Sequence, residues 1–188
     1  RTVADYLAGR LGDPLLELRD PSVADARDRV SSRMDALLSG SGRVPAKDFH
    51  RRLGETMYEC CGVTRSAASL AEGARRIREL RAEFDAEARA TGSRAEFNPD
   101  LVEAMRVRDY LELGELACVD ALHREESCGA HFRSEHVLPD GEAKRDDAHW
   151  MCVSAWMSRG WESGTPEFIH RREDLQYRVV EPKTRNYR

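Results

Sequence analysis

The chain has 188 residues, which suits one domain or one domain with an extension. Hydrophobic residues make up 40% and charged residues 34%, enough for a modest core and too apolar for a disordered chain. With 30 Lys and Arg against 34 Asp and Glu, the net charge is -4, without the basic footprint of a nucleic-acid binder. No apolar run approaches the roughly 18 residues of a membrane span. The opening RTVADYLAGR is polar, has no signal-peptide core and lacks an initiator Met, so the chain reads as a fragment or a processed product. Five cysteines, Cys60, Cys61, Cys118, Cys128 and Cys152, are an odd number with one adjacent pair, which favours reduced thiols over a disulfide framework.

In chain order, residues 1–9 read as a short helix and DPLLELRDP as a loop. Asp20 caps a second helix with Pro21 at its first position, followed by Val23, Ala26, Val30, Met34, Leu37 and Leu38 at helical spacing. SGSGRVP is a joint. The next helix begins near Pro45, carries Phe49, Leu53, Met57 and Cys60 on its apolar stripe, and stops at Gly62. Another starts near Ser66, with Leu70, Ala74, Ile77, Leu80, Phe84 and Ala88 on one face and a solvated Arg/Glu face opposite, and ends at TGS, residues 91–93. From Asn98-Pro99 to about residue 125, Leu101, Val102, Met105, Val107, Leu111, Leu113, Leu116, Ala117, Val119 and Leu122 predict a helix apolar most of the way round and central in a bundle. After Gly129 the helical period disappears. HWMCVSAWM and PEFIHRREDLQYRVV read as extended, joined by a turn at GWESGTP, with a basic surface tail VVEPKTRNYR. The expected fold is mainly α: a bundle of three to four main helices over 21–128, preceded by a linker or short helix at 1–20 and followed by an extended segment at 129–188 with a possible hairpin.

Several stretches invite a chemical reading. SGSGR offers two glycines of a dinucleotide fingerprint, but no strand precedes it and the third place is Pro45, so a linker fits better. Cys128 and His131, with His123 and His136 nearby, could ligate zinc, yet the CxxC pair is missing and adjacent Cys60-Cys61 cannot chelate through both sulfurs. Cys128 and His131 as nucleophile and base need an orienting group and an oxyanion hole, so a packing role for Cys128 is the simpler expectation. Arg124, Glu125, Glu126, His131 and Arg133 cluster where the apolar helix ends. They fit either an internal salt-bridge network or a contact surface for a neighbour, because buried charges need partners in both cases. GEAKRDD, residues 141–147, reads as a solvated loop.

The order of motifs is more specific than any one of them: FHRRLGETMYECCGVTRS, ARRIRELRAEF, LVEAMRVRDYLELGELACVDALHREESCGAHFR, GEAKRDDAHW and PKTRNY. This order resembles the C-terminal helical domain of the succinate dehydrogenase and fumarate reductase flavoprotein subunit, along essentially the whole chain. The opening TVADYLAG resembles the exit from that family's flavin-binding domain. The resemblance implies a parent enzyme with covalent FAD that passes electrons to an iron–sulfur subunit, and through it to a membrane anchor and quinone, on the inner face of the cell membrane. It implies no catalytic, cofactor or metal residue in this chain, because the family's flavin-attachment, fingerprint and substrate motifs match nothing here. It also implies a contact with the flavin-binding domain of the same subunit through Glu126, Ser127, Gly129, His131, Arg133, Arg145, Asp146 and Asp147, with Ala130 where the pattern more often has Gly. An isolated chain would then be inactive. The alternatives are the equivalent domain of L-aspartate oxidase and a helical adaptor that is not part of any enzyme.

Overall fold

In the computed structural model the described residues are 3–14, 17, 19–158, 168–177, 179–180 and 182–183. The turn expected at 160–166, three leucines of the early loop and most of the terminal tail therefore lie outside the described residues.

The helices are α1 (Val3–Ala8), α2 (Pro21–Ser39), α3 (Ala46–Cys60), α4 (Ala67–Glu87), α5 (Pro99–His123) and the single turn α6 (Asp147–Trp150). Between them run β1 (Val44–Pro45), β2 (Thr64–Arg65), β3 (Ala88–Arg89), β4 (Phe132–Arg133), β5 (Cys152–Ser158) and β6 (Phe168–Asp174). The fold is mainly α with small two-stranded sheets, as the sequence predicts. β1 pairs with β3 and β2 with β4, both parallel and two residues long. β5 and β6 form an antiparallel ribbon from Cys152↔Asp174 to Ser158↔Phe168, the hairpin expected from the extended C-terminal segment.

The chain forms two compact units: 1–57 with 74–116, and 58–73 with 117–188. In the first, Asp20 caps α2 by accepting from the Ser22 amide at 2.8 Å, with Pro21 at the opening position. The core is built on α3, α4 and α5. Phe49 meets Phe84 edge to face at a centroid distance of 5.1 Å, a geometry worth about 0.5–1.5 kcal/mol beyond the area buried. Leu53, Ile77, Val107 and Leu111 are buried on the same three helices. Of the apolar stripe on α2 only Leu37 is buried, and Val30 is exposed.

Two expectations are corrected here. First, α5 is not buried all round. Its buried positions Leu101, Ala104, Val107, Leu111, Cys118 and Ala121 trace one helical stripe, whereas Leu113 is 58% and Val102 38% exposed. Second, not every arginine of α4 lies on its solvated face. Arg81 is 5% exposed and donates to Glu115 Oε2 at 2.7 Å, while Arg78 donates to Oε1 at 2.9 Å. Glu115 itself is 1% exposed. Its carboxylate is tolerated inside because two guanidiniums satisfy both oxygens. Burial pulls Arg81 down from its ordinary value, and the Glu115 charge opposes that shift.

In the second unit, the start of α4 is closed by a reciprocal pair. The Ser69 amide donates to Ser66 Oγ and the Ser66 amide to Ser69 Oγ, each at 3.0 Å. The β5–β6 ribbon carries an aromatic cluster: Trp156 stacks on His170 with ring centroids 4.4 Å apart, and the His123 ring stands nearly perpendicular to His170 at the same centroid distance. Trp156 Nε1 donates to Asp120 Oδ1 at 2.6 Å, tying the ribbon to the last turns of α5.

Candidate functional site

The charged corner after α5 occupies the second unit, and its first requirement is a helix end. The last carbonyls of a helix have no intrahelical donor. Here Arg133 supplies one. Its Nη1 donates to the carbonyls of Ala121 at 3.0 Å, Leu122 at 3.1 Å and Arg124 at 3.3 Å. A cation at a helix C-terminus also opposes the negative end of the dipole. Arg133 is 3% exposed, and the pairing of β4 with β2 holds it in place.

Ser127, fully buried, fixes the backbone of Arg133. Its Oγ accepts from the Arg133 amide at 2.8 Å and donates to the Arg133 carbonyl at 3.2 Å. Between them the chain reverses. The Cys128 amide donates to the His131 carbonyl at 2.9 Å, and the His131 amide to the Cys128 carbonyl at 3.1 Å. Gly129 in this turn has φ +60°, a region open to glycine at no steric cost. Ala130 is not at positive φ, so alanine fits where the resembling pattern more often has glycine.

Glu126, 2% exposed, is the anion of the corner. One oxygen accepts from Arg124 Nη1 and the other from the Asp146 amide at 3.0 Å. Arg124 also reaches the carbonyls of Trp150 and Cys152, each at 3.2 Å. The Trp150 ring lies beneath two guanidiniums, those of Arg124 at 5.6 Å and Arg172 at 4.9 Å, within cation–π range.

His131 is held by both ring nitrogens. Arg65 Nη1 donates to Nδ1 at 3.1 Å, and Nε2 donates to the Arg124 carbonyl at 3.0 Å. This arrangement requires the neutral Nε2–H form. Burial lowers its pKa, and the charges of Arg65, Arg133 and Arg124 add to the shift against the bond to the Arg124 carbonyl. Glu135 receives the Ala67 amide at 2.6 Å at the start of α4, which holds its carboxyl below the usual range.

Burial divides the eight residues expected to form a docking surface. Glu126, Ser127 and Arg133 are inside the unit and partnered there, and His131 is half-buried. Gly129 and Asp147 are exposed, with Arg145 and Asp146 half-exposed. Arg145 forms a forked pair with Asp147 at 2.7 and 2.9 Å and donates to the Lys183 carbonyl at 3.1 Å. Asp146 caps α6 and pairs with His149 Nδ1 at 2.8 Å. An open cleft of about 440 Å³ beside them is lined by Glu125, His136, Lys144, His149, Trp150 and Arg172, among others.

The zinc reading finds no geometry in support. Both nitrogens of His131 are engaged, and among the described residues no three His, Cys, Asp or Glu side chains converge as metal ligands. A flavin does not fit the SGSGR loop either. A phosphate cradle presents amide N–H groups. Here a side chain at Gly42 would lie 2.8 Å from the Ala88 carbonyl oxygen and 2.6 Å from the Glu87 carbonyl carbon, so that glycine packs against acceptors. The sequence reading missed Arg81 with Glu115, and Asp120 with Trp156. The first pair was detectable: Arg81 shares its helical face with Ile77 and Phe84, and Glu115 with Leu111 and Cys118, so two opposite charges sit on facing apolar stripes.

The described residues thus form a mainly helical fold whose polar corner is satisfied largely from within. The family described as fumarate reductase flavoprotein C-term matches residues 50–187, and the chain belongs to that family. Relatives include the succinate dehydrogenase flavoprotein subunit of Rickettsia bellii, 30% identical over 131 residues, covering 70% of this chain and 21% of the relative. The fumarate reductase flavoprotein subunit of Helicobacter pylori is 27% identical over 187 residues, 98% of this chain and 25% of the relative. The chain therefore spans about a quarter or less of the length of these relatives. By fold it is similar to E. coli quinol fumarate reductase FrdA, with a TM-score of 0.73 and 23% identity over 96% of this chain and 29% of that one. It is also similar to the Mycobacterium smegmatis Sdh1 complex, with a TM-score of 0.68 and 20% identity over 94% of this chain and 27% of that one.

Proposed function

We propose that this domain serves a flavoprotein subunit that interconverts succinate and fumarate through covalent FAD held by another domain. Electrons would leave through an iron–sulfur subunit toward a membrane anchor and quinone. The observation that carries the reading is the family match over residues 50–187. The flavin would do the redox chemistry, and this domain would brace the fold around it. Two features support a bracing role: Gly42 of the SGSGR loop packs against carbonyls, and both ring nitrogens of His131 beside Cys128 are already engaged.

The contact with the flavin-binding domain would use the rim of the corner rather than its interior. Gly129, Arg145, Asp146 and Asp147 remain accessible, while Glu126, Ser127 and Arg133 act from below by fixing the backbone beneath them. No described helix is long and apolar enough to cross a membrane, which is consistent with a peripheral position in such a complex.

The test compares two preparations. The native polypeptide carrying this sequence should be yellow, keep its flavin through acid precipitation, and reduce a dye with succinate. The 188-residue chain alone should be colourless and inactive. Flavin absorption in the chain alone, or none in the native protein, would overturn the proposal.

A further inference from the structure

One enclosed side-chain nitrogen, Nε2 of His170, has no hydrogen-bond partner among the described residues. Such a group is uncommon in a folded chain and needs a reason. His170 lies opposite Trp156 across the β5–β6 ribbon, and the two rings stack with centroids 4.4 Å apart and 27° between their planes. The His123 ring of α5 stands nearly perpendicular to both, 4.4 Å from His170 and 5.8 Å from Trp156 between centroids. Trp156 is tied to Asp120 of α5 through its Nε1 at 2.6 Å. These contacts fasten the ribbon to the helix, and His170 makes the two closest ring contacts among them.

The enclosed nitrogen decides which form of the ring fits. A neutral imidazole with its proton on Nδ1 leaves only a lone pair at Nε2. A protonated ring puts a charged N–H in the same place with no acceptor to receive it, and that penalty is the larger one. The groups facing the ring divide. From α5, the Asp120 carboxylate favours the imidazolium and His123 opposes it. On β6, Arg172 opposes it, while Trp156 of β5 offers a π face and no charge. Burial has the largest influence, and with His123 and Arg172 it holds the ring below its ordinary pKa against the pull of Asp120.

We propose that His170 is a pH-operated catch: neutral, it clasps the β5–β6 ribbon to α5, and on taking up a proton it lets the ribbon go. The imidazolium hydrates its Nε2 only by leaving the stack on Trp156. Once the stack opens, water reaches the Trp156–Asp120 bond and the ribbon loosens from the helix. The sign follows from the two states of the ring. Released, it has the ordinary value of about 6.5, and clasped it lies lower. The clasp is therefore complete above 6.5 and weakens as the pH falls below it, in the range where histidine serves as a switch. The inference does not depend on the redox reaction proposed for the parent protein.

The test is hydrogen–deuterium exchange, read by mass spectrometry, on the native protein carrying this chain at pH 7.5 and pH 5.5, with labelling times scaled to the intrinsic exchange rate. Peptides from β5 and β6 should exchange several-fold faster at the lower pH, while peptides from residues 46–57 in the first unit should not change. His170→Phe keeps a ring against Trp156 and cannot titrate, so its ribbon should exchange alike at both pH values. His170→Gln does not titrate either and serves if the phenylalanine is not accommodated. His131→Gln should leave the acid loosening in place, because that histidine is bonded to Arg65 and the Arg124 carbonyl rather than to the ribbon. Equal exchange of the wild-type ribbon at the two pH values would overturn the proposal. So would an acid loosening that persists in a folded His170 variant, or one that disappears in His131→Gln.

Discussion

Arg133 and Ala121 are joined across the last turn of α5, with the guanidinium Nη1 3.0 Å from the Ala121 carbonyl oxygen. A residue ten positions beyond the helix thereby closes it, and two further carbonyls share the same donor. Arg133→Leu should destabilise the domain by about 3 kcal/mol, because it strands buried carbonyls and the facing groups of the turn. Arg133→Lys should recover part of that, having a charge but no planar fork. Urea unfolding followed by circular dichroism measures both. Equal midpoints for wild type and Arg133→Leu would show that water replaces the cap.

Glu115 is enclosed between Arg78 and Arg81, both on α4. Glu115→Ala should cost about 3–5 kcal/mol, since Arg81 is left buried without that partner carboxylate. Replacing Glu115 and Arg81 together with leucine should cost far less, or stabilise, because the desolvation penalty leaves with the charges. A double-mutant cycle by denaturant unfolding gives the coupling, and additive single costs would refute this account.

His131 is kept neutral by burial and by three neighbouring arginines, so its folded pKa lies below the reference value of 6.5. The sign follows directly. Below 6.5 the unfolded chain takes up a proton that the folded domain refuses, so stability is present above that value and declines as the pH falls through it. His131→Gln keeps an acceptor for Arg65 and a donor for the Arg124 carbonyl without titrating. The stability lost between pH 8 and pH 5.5 should therefore be smaller in the variant than in wild type. An unchanged loss would place the proton elsewhere.

Gly129 and Ala130 stand side by side with opposite tolerances. Gly129→Ala should cost about 1–2 kcal/mol, the penalty for an L-residue at positive φ. Ala130→Gly should change stability by well under that amount, since Ala130 has an ordinary backbone. Thermal unfolding of the two variants compares them directly. Equal effects would mean that the turn relaxes.

Much of the organisation was legible in the chain itself. The cap at Asp20, the stripe of α3 and the break after Gly129 depend on neighbours a few residues apart, where spacing and side-chain type carry the information. The order of motifs likewise pointed to the family that the comparisons then supplied. Burial was less accessible. Leu113 and Val102 are as apolar as Leu111 and Val107, yet face outward, because only one stripe of α5 meets α3 and α4 within the first unit.

Sequence alone therefore determined where helices form and which family the chain resembles, because both are written in local periodicity and motif order. Tertiary structure alone decided which partner each inward charge meets. Arg81 and Arg133 are as cationic as the arginines around them, and what sets them apart is a distant partner: Glu115 thirty-four positions on for one, the end of α5 for the other. A buried charge is stable only when such a partner arrives in space; helical spacing marks Arg81 and Glu115 as lying on apolar faces, but it does not record which partner each one meets.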